Sequence, residues 1–208
     1  MNIESIDVYI KKFPFEVANE KIFPEMRLKE IESCKSQKVQ DEKFYSWKLL
    51  EEAFFNSFAI KIEEVEFSKN GLKWECDRCN FSISHSHQLV AVALSNQNVG
   101  IDIEKVDFER FSLLQPEKVL TEEEQKKIKI IDKKEIGKHI NQLWTKKEAI
   151  FKKNGRKIFI PNKIETKNKN IKLIQLKSSE NNFYLSICGN NIDKINYFVG
   201  EDIEIIKN

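Results

Sequence analysis

The 208-residue chain carries 35 Lys and Arg against 33 Asp and Glu, a formal charge of +2, so no bulk field marks it as a nucleic-acid or membrane binder and any anion site must be local. With 40% hydrophobic residues and fifteen Phe it can bury a real core, as one large domain or two small ones. No apolar stretch approaches a membrane span, and the opening residues lack the basic start and apolar run of a secretory leader, so a cytoplasmic protein is expected.

In chain order, "IDVYI" reads as a strand, and a Pro-punctuated segment leads into helical patterning from Pro24 to Ser36. "DEKFYSWKLLEEAFFNSF" sets Phe44, Trp47, Leu49 or Leu50, Phe54 and Phe58 at helical intervals, the stripe of a central core helix. Asn70-Gly71 suits a tight hairpin turn. Cys76 and Cys79 in "ECDRC" have the spacing of half a zinc site. A redox pair and plain thiols beside a turn are the alternatives, and four irregularly spaced Cys make no disulfide framework.

"FSISHSHQLVAVALSNQNVGIDIEKV" reads as two apolar runs joined by a short polar turn, a second hairpin with Asp102 on its return strand. "LTEEE" is a helix start, Thr followed by acids. "GKHINQLWTKKEAIFKKNG" is a longer helix with Ile140, Leu143, Trp144, Ile150 and Phe151 on one face and Gly155 as its stop. The tail, "KLIQLK", "FYLSIC" and "INYFVG", reads as a three-stranded meander.

Two patterns carry chemistry. In "VGIDIEKV", Asp102 and Glu104 alternate with Ile101 and Ile103, so both carboxylates leave the strand on one side, roughly 6–7 Å apart. A wet face on an amphipathic edge strand would give the same pattern. Glu148 and Lys152 stand four residues apart on the long helix, at the border of its apolar stripe, and a surface ion pair is the plain alternative. His85 reads as either a hydrogen-bonded structural residue or a ligand group. His87 and His139 carry no chemistry in this reading.

Three stretches taken together, "SISHS" at 82–86, "VGIDIEKV" at 99–106 and "LWTKKEAIFKKNG" at 143–155, give the chain a family resemblance. It resembles the 4′-phosphopantetheinyl transferases of the long, single-chain Sfp type. The resemblance implies an α+β fold of two similar halves, 1–97 and 98–208. Each half would be an antiparallel sheet packed on a long helix, with the active site in the cleft between them. It implies transfer of 4′-phosphopantetheine from coenzyme A to a serine of an apo acyl or peptidyl carrier protein, with release of adenosine 3′,5′-bisphosphate.

By the same resemblance Asp102, Glu104 and Glu148 are Mg²⁺ ligands, since three converging carboxylates need a hard cation and a diphosphate must be gripped. Lys152 lies over the phosphates, and Glu148 is the candidate base for the serine hydroxyl. Lys43, Lys73, Ser82, Ser84 and His85, with Asp102 and Lys152, are expected to bind coenzyme A. Arg27, Lys29, Lys35 and Lys38 are further phosphate candidates, and Glu124 falls near a supporting acid. Three positions depart from the family pattern. Lys43 stands where Arg is common and cannot make its bidentate contact. Gly71, Leu72, Lys73 replace Gly-Lys-Pro, and Ser82 replaces an Asn. A monomer without nucleic-acid or membrane partners is expected.

Two other classes fit some of these features. A Mg²⁺-dependent nuclease also gathers Asp, Glu and Lys, but its acid-x-Lys pair stands one strand step apart, whereas Glu148 and Lys152 are helix neighbours. A non-catalytic coenzyme A or carrier-binding module would keep the cleft and lose the ligands. All three acids and the Lys are present, which favours the enzyme.

Overall fold

A computed structural model describes residues 5–17, 24–71, 73–155, 157–167 and 170–206, so Leu72 lies outside the described residues. Side-chain alternation builds the first layers. β1 (Ile6–Lys12) turns Ile6, Val8 and Ile10 to one side and Tyr9 to the other. Tyr9 meets α2 (Gln37–Phe58), which follows the short α1 (Glu25–Glu32). On α2, Trp47, Leu50, Ala53 and Phe54 recur at helical spacing and are completely buried. Each such large apolar side chain contributes about 1.5–3 kcal/mol by leaving water.

After α2 come the hairpin β2 (Phe67–Asn70) and β3 (Lys73–Cys76), turned at Gly71 with φ +64°, and the hairpin β4 (Asn80–Ser86) and β5 (Leu89–Ser95). β6 (Gly100–Lys105) comes next. It is followed by α3 (Phe108–Ser112), α4 (Pro116–Val119), α5 (Glu122–Ile128) and α6 (Lys133–Asn154), then β7 (Ile171–Ser178), β8 (Asn182–Cys188), β9 (Ile195–Val199) and β10 (Ile203–Ile206). Thr121 and Glu124 close a capping box at the start of α5, and Gly155, in the left-handed region, stops α6.

One four-stranded sheet has the order β4-β5-β1-β9, the other β10-β7-β8-β6. Ile6, Val8, Ile10, Ala91 and Ala93 of the first pack against Ile101, Ile103, Phe183, Leu185 and Ile187 of the second. Helix α2 covers the outer face of the first sheet, and α6 covers β8 of the second through Ala149, Ile150 and Cys188. The α+β class expected from the sequence holds, as four layers in the order helix, sheet, sheet, helix.

Three strand assignments are corrected. β6 is not the return strand of the hairpin before it, because it pairs antiparallel with β8 in the other sheet. The tail is not a simple meander. β7 and β8 pair, but β9 crosses to the first sheet and runs parallel to β1, while β10 returns to β7. The first sheet is therefore mixed rather than wholly antiparallel. Alternation gives each strand its faces but not its partner, which is set by which edge lies open when the layers meet.

The sheets are also joined along their edges. β4 and β6 each end a sheet, and the N–H groups of Ile101, Ile103 and Lys105 donate to the hydroxyls of Ser82, Ser84 and Ser86 at 3.0, 3.2 and 3.1 Å. Side-chain oxygens thus do for an open β6 edge what a further strand would do.

On its other side β6 lies against α6. A methyl placed on Gly100 would stand 1.9 Å from the carbonyl oxygen of Ala149 and 2.5 Å from the Lys153 nitrogen, both backbone. Only glycine permits this approach, and it fixes the distance between the strand of Asp102 and the helix of Glu148 and Lys152. Gly100→Ala is expected to cost about 1–3 kcal/mol in chemical denaturation, because backbone cannot step aside as a side-chain tip can. A loss below about 0.5 kcal/mol would mean that α6 is free to shift from β6.

Candidate active site

Because Ile101 and Ile103 face the core, Asp102 and Glu104 must face the other way, and that side of β6 is covered by α6 rather than by water. The expected pair of carboxylates on one face is present, and the wet-face alternative fails at Asp102, which is 4% exposed. Its Oδ1 accepts from Lys152 Nζ at 2.8 Å and from Ser84 Oγ at 2.9 Å. Its Oδ2 is buried with no hydrogen-bond partner among the described residues. Burial raises the Asp102 pKa, opposed by Lys152 and Ser84.

Glu104 accepts from Ser86 Oγ at 3.4 Å, with the Arg110 guanidinium 3.9 Å away. Burial, with the Asp102 charge second, pushes its carboxyl up to about 7. Glu148, on α6, is also pushed up to about 7, by burial first and by Asp102 second. Three acids of one neighbourhood therefore each resist ionisation, and two of them feel the charge of the third. Lys152 does not pair with Glu148 in the i,i+4 manner that helix spacing allows. Its ammonium lies on Asp102 and Ser84 instead.

Ser84 is the junction of this cluster. It donates to Asp102 and accepts from Lys152 and from the Ile103 N–H, which uses its one donor and both lone pairs. Ser82 also gives its hydroxyl to β6 and lines the cleft. Adjacent strand residues face opposite ways, so His85 does not share the surroundings of Ser84 and looks toward α1 and α2. Its Nδ1 is 3.6 Å from Glu42 Oε2. Desolvation by surrounding atoms, then Lys152, Arg27, Lys38 and Lys43 in that order, lower its pKa, although the side chain keeps 41% of its surface exposed. The structure thereby ranks the further cations. Arg27 and Lys38 bear on His85, while Lys29 is tied to Glu25 at 2.6 Å on the outer side of α1.

Arg27 is buried over the Trp47 ring and donates to the Lys43 carbonyl at 2.8 Å, while Lys43 Nζ reaches the Glu30 carbonyl at 3.3 Å. Lys35 is exposed. Lys73 sits elsewhere, in a cleft of about 220 Å³ beside β3, β4 and the end of α6. Lys73, Trp74 and Phe81 wall one side of it and Phe151, Lys152 and Gly155 the other.

Glu124, which falls near a supporting acid of the family the chain resembles, is a brace. It accepts from Thr121 N at 3.0 Å and Thr166 Oγ1 at 2.7 Å and pairs with the fully buried Lys147 at 2.7 Å. Lys147 spends its remaining donors on the Pro161 and Ile164 carbonyls at 2.9 and 2.8 Å, so the buried ammonium is fully satisfied. Among the described residues no three His, Cys, Asp or Glu side chains already converge as a cation site, at the carboxylates or at Cys76 and Cys79. Also among the described residues, no helix is long and apolar enough to cross a membrane. Sequence reading missed Ser86, Arg110 and Glu42. The alternating serines of "SISHS" were the available signal for the first, and nothing in the sequence pointed to the other two.

Residues 98–193 match the model of the 4′-phosphopantetheinyl transferase superfamily. The 4′-phosphopantetheinyl transferase Sfp of Bacillus subtilis (strain 168) is 33% identical over 102 residues, covering 49% of this chain and 44% of that protein. The 4′-phosphopantetheinyl transferase gsp of Aneurinibacillus migulanus is 30% identical over 120 residues, covering 54% and 50%. The chain spans about half the length of the curated relatives it matches. The resemblance to the Sfp-type transferases is borne out, and Asp102, Glu104, Glu148 and Lys152 all fall inside the matched residues.

Two outcomes follow from this geometry. Ser84→Ala strands the Ile103 N–H and removes a partner from both Asp102 and Lys152, so it should cost about 1–3 kcal/mol in denaturant unfolding. Ser82→Ala, which strands only the Ile101 N–H, should cost less. Glu148 binds its proton more tightly folded than unfolded, so its stabilising contribution is complete below pH 4.5 and is lost as pH rises to about 7. Glu148→Gln, neutral throughout, should therefore gain on the wild type across that window, by about 1–3 kcal/mol at pH 8. A pH-independent difference between the two proteins would refute the crowding of these acids.

Proposed function

We propose that this chain transfers the 4′-phosphopantetheine group of coenzyme A to a serine of an apo acyl or peptidyl carrier protein and releases adenosine 3′,5′-bisphosphate. The observation that carries the reading is the state of its carboxylates. Asp102 has a buried oxygen with no partner, and Glu104 and Glu148 are held near pKa 7 beside it. Oxygen donors that are crowded, desolvated and under-compensated suit a hard divalent cation, so Asp102, Glu104 and Glu148 are the residues to hold Mg²⁺. Bound there, the ion would neutralise diphosphate charge as a Lewis acid.

The chain's own residues supply the rest. Lys152 balances Asp102 in this structure, and once that balance is taken over its ammonium is available to the phosphoryl group that passes to the serine. Glu148, with a pKa near neutrality, is suited to take the serine proton. His85, ringed by Arg27, Lys38, Lys43 and Lys152, lies where an anion would relieve cationic crowding, which suits the coenzyme A phosphates. The largely apolar cleft walled by Lys73, Trp74, Phe81 and Phe151 suits the pantetheine arm. Ser82 and Ser84 serve the site from behind, by fixing β6 and Lys152.

The halves, 1–97 and 98–208, form a pseudodimer in this reading. Its support is that β1 pairs antiparallel with β5 as β6 pairs with β8, each after a long helix and one strand, β4 or β7, that itself pairs with β5 or β8. A cytoplasmic monomer without nucleic-acid or membrane partners completes the proposal.

The test is incubation of apo carrier proteins with the chain, coenzyme A and Mg²⁺, followed by intact-mass spectrometry. One phosphopantetheine should be gained, the gain should stop with a chelator, and Asp102→Asn or Glu148→Gln should slow it by about 10²-fold or more. Coenzyme A binding without modification of any carrier would favour a binding module, and cleavage of DNA by the same sample would favour a nuclease.

A further inference from the structure

The C-x-x-C run is not used by the transfer chemistry. Cys76 is the last residue of β3, the strand that brings Lys73 and Trp74 to the cleft, and Cys79 directly precedes β4. The bend at Asp77 and Arg78 folds the two sulfurs together. The Cys76 S–H donates to the Cys79 carbonyl oxygen at 3.2 Å, which holds its sulfur against the residue that carries the second thiol, and the two thiols perturb each other. Both are half-buried, packed on the aromatic cluster that holds Trp47, Phe67, Trp74 and Phe81, so they keep access to solvent but cannot drift far apart. Cys188, by contrast, is buried.

We propose that Cys76 and Cys79 form a thiol–disulfide exchange site whose co-reactants are low-molecular-weight disulfides, with Cys76 attacking and Cys79 resolving. The Cys76 thiolate attacks one sulfur of R–S–S–R, that bond breaks, and R–S⁻ leaves with the electron pair. The Cys79 thiol then loses its proton to water, attacks the Cys76 sulfur of the mixed disulfide and expels the second R–S⁻. Two protein thiols are oxidised to one disulfide and one small disulfide is reduced to two thiols, so electrons and protons balance without a further reagent.

The order of roles follows from the contact. Interaction with the Cys79 thiol, and after it with the Cys79 and Arg78 backbone, lowers the Cys76 pKa against the opposing effect of burial. The same interaction, with burial, pushes the Cys79 thiol up. The more readily ionised sulfur is the one that meets the incoming disulfide. Its partner is already in place to close the bridge, at the wall of the cleft. This inference stands independently of the transfer reaction.

The test equilibrates the reduced 208-residue chain in glutathione buffers of rising oxidised share, quenches with acid, alkylates free thiols and maps peptides by mass spectrometry. Cys76 and Cys79 should lose two hydrogens together and escape alkylation, reversibly on return to reduced glutathione. Cys79→Ser should capture one glutathione on Cys76, and Cys76→Ser should leave Cys79 open to alkylation. The proposal is overturned if both wild-type thiols stay alkylated even in oxidised glutathione alone. It is equally overturned if Cys79 captures glutathione in Cys76→Ser as readily as Cys76 does in Cys79→Ser.

Discussion

The seam between β4 and β6 is the constraint on which the arrangement rests. Both strands end a sheet, and an open edge of buried backbone N–H groups is not tolerable unless something accepts from it. Here three serine hydroxyls accept from Ile101, Ile103 and Lys105, so the two sheets are stitched at a fixed register by side chains instead of by a shared ladder. A slip of one residue would turn serines to the core and Phe81 and Ile83 to the seam. The register that satisfies β6 is therefore the one that sets Ser84 against Asp102 and Lys152.

On the opposite side of β6 the constraint is contact rather than hydrogen bonding. Gly100 lets the backbone of α6 come close, so carboxylates from a strand and a helix share a small, poorly hydrated volume. Their charges are incompletely balanced. Lys152 answers Asp102, Arg110 stands farther from Glu104, and Asp102 Oδ2 is left over. The core elsewhere closes its accounts, as at Lys147, whose ammonium has one carboxylate and two carbonyl partners. Lys147 is fully satisfied by α5 and the segment after α6, whereas on β6 the Asp102 Oδ2 has no partner among the described residues.

The cationic group around His85 is a second imbalance of opposite sign, on the other face of β4. Arg27, Lys38, Lys43 and Lys152 come from three different helices, and together with burial they hold the imidazole neutral well below its ordinary range. The nearest charge to His85 is nonetheless the Glu42 carboxylate at 3.6 Å, so the two sides of the strand differ in their balance of charge, and Lys152 bears on both.

Periodicity in the sequence was enough to determine the two long helices, the capped start at Thr121, the turn at Gly71, and the fact that Asp102 and Glu104 leave β6 on one side. These depend on local spacing and on backbone conformations only a few residues adopt. The motif resemblance likewise located Glu148 and Lys152. What tertiary structure alone decided was who meets whom. β6 pairs with β8 instead of with its sequence neighbour, β9 leaves its apparent meander for β1, and Ser84 and His85, adjacent in the chain, serve opposite faces. Lys152 chose Asp102 over its helix neighbour Glu148, and Glu124 turned to Lys147, because in both cases a buried opposite charge at about 2.8 Å outweighs a partner that spacing merely permits. Such choices depend on the layers closing around a residue, and no stretch of the sequence contains that information on its own.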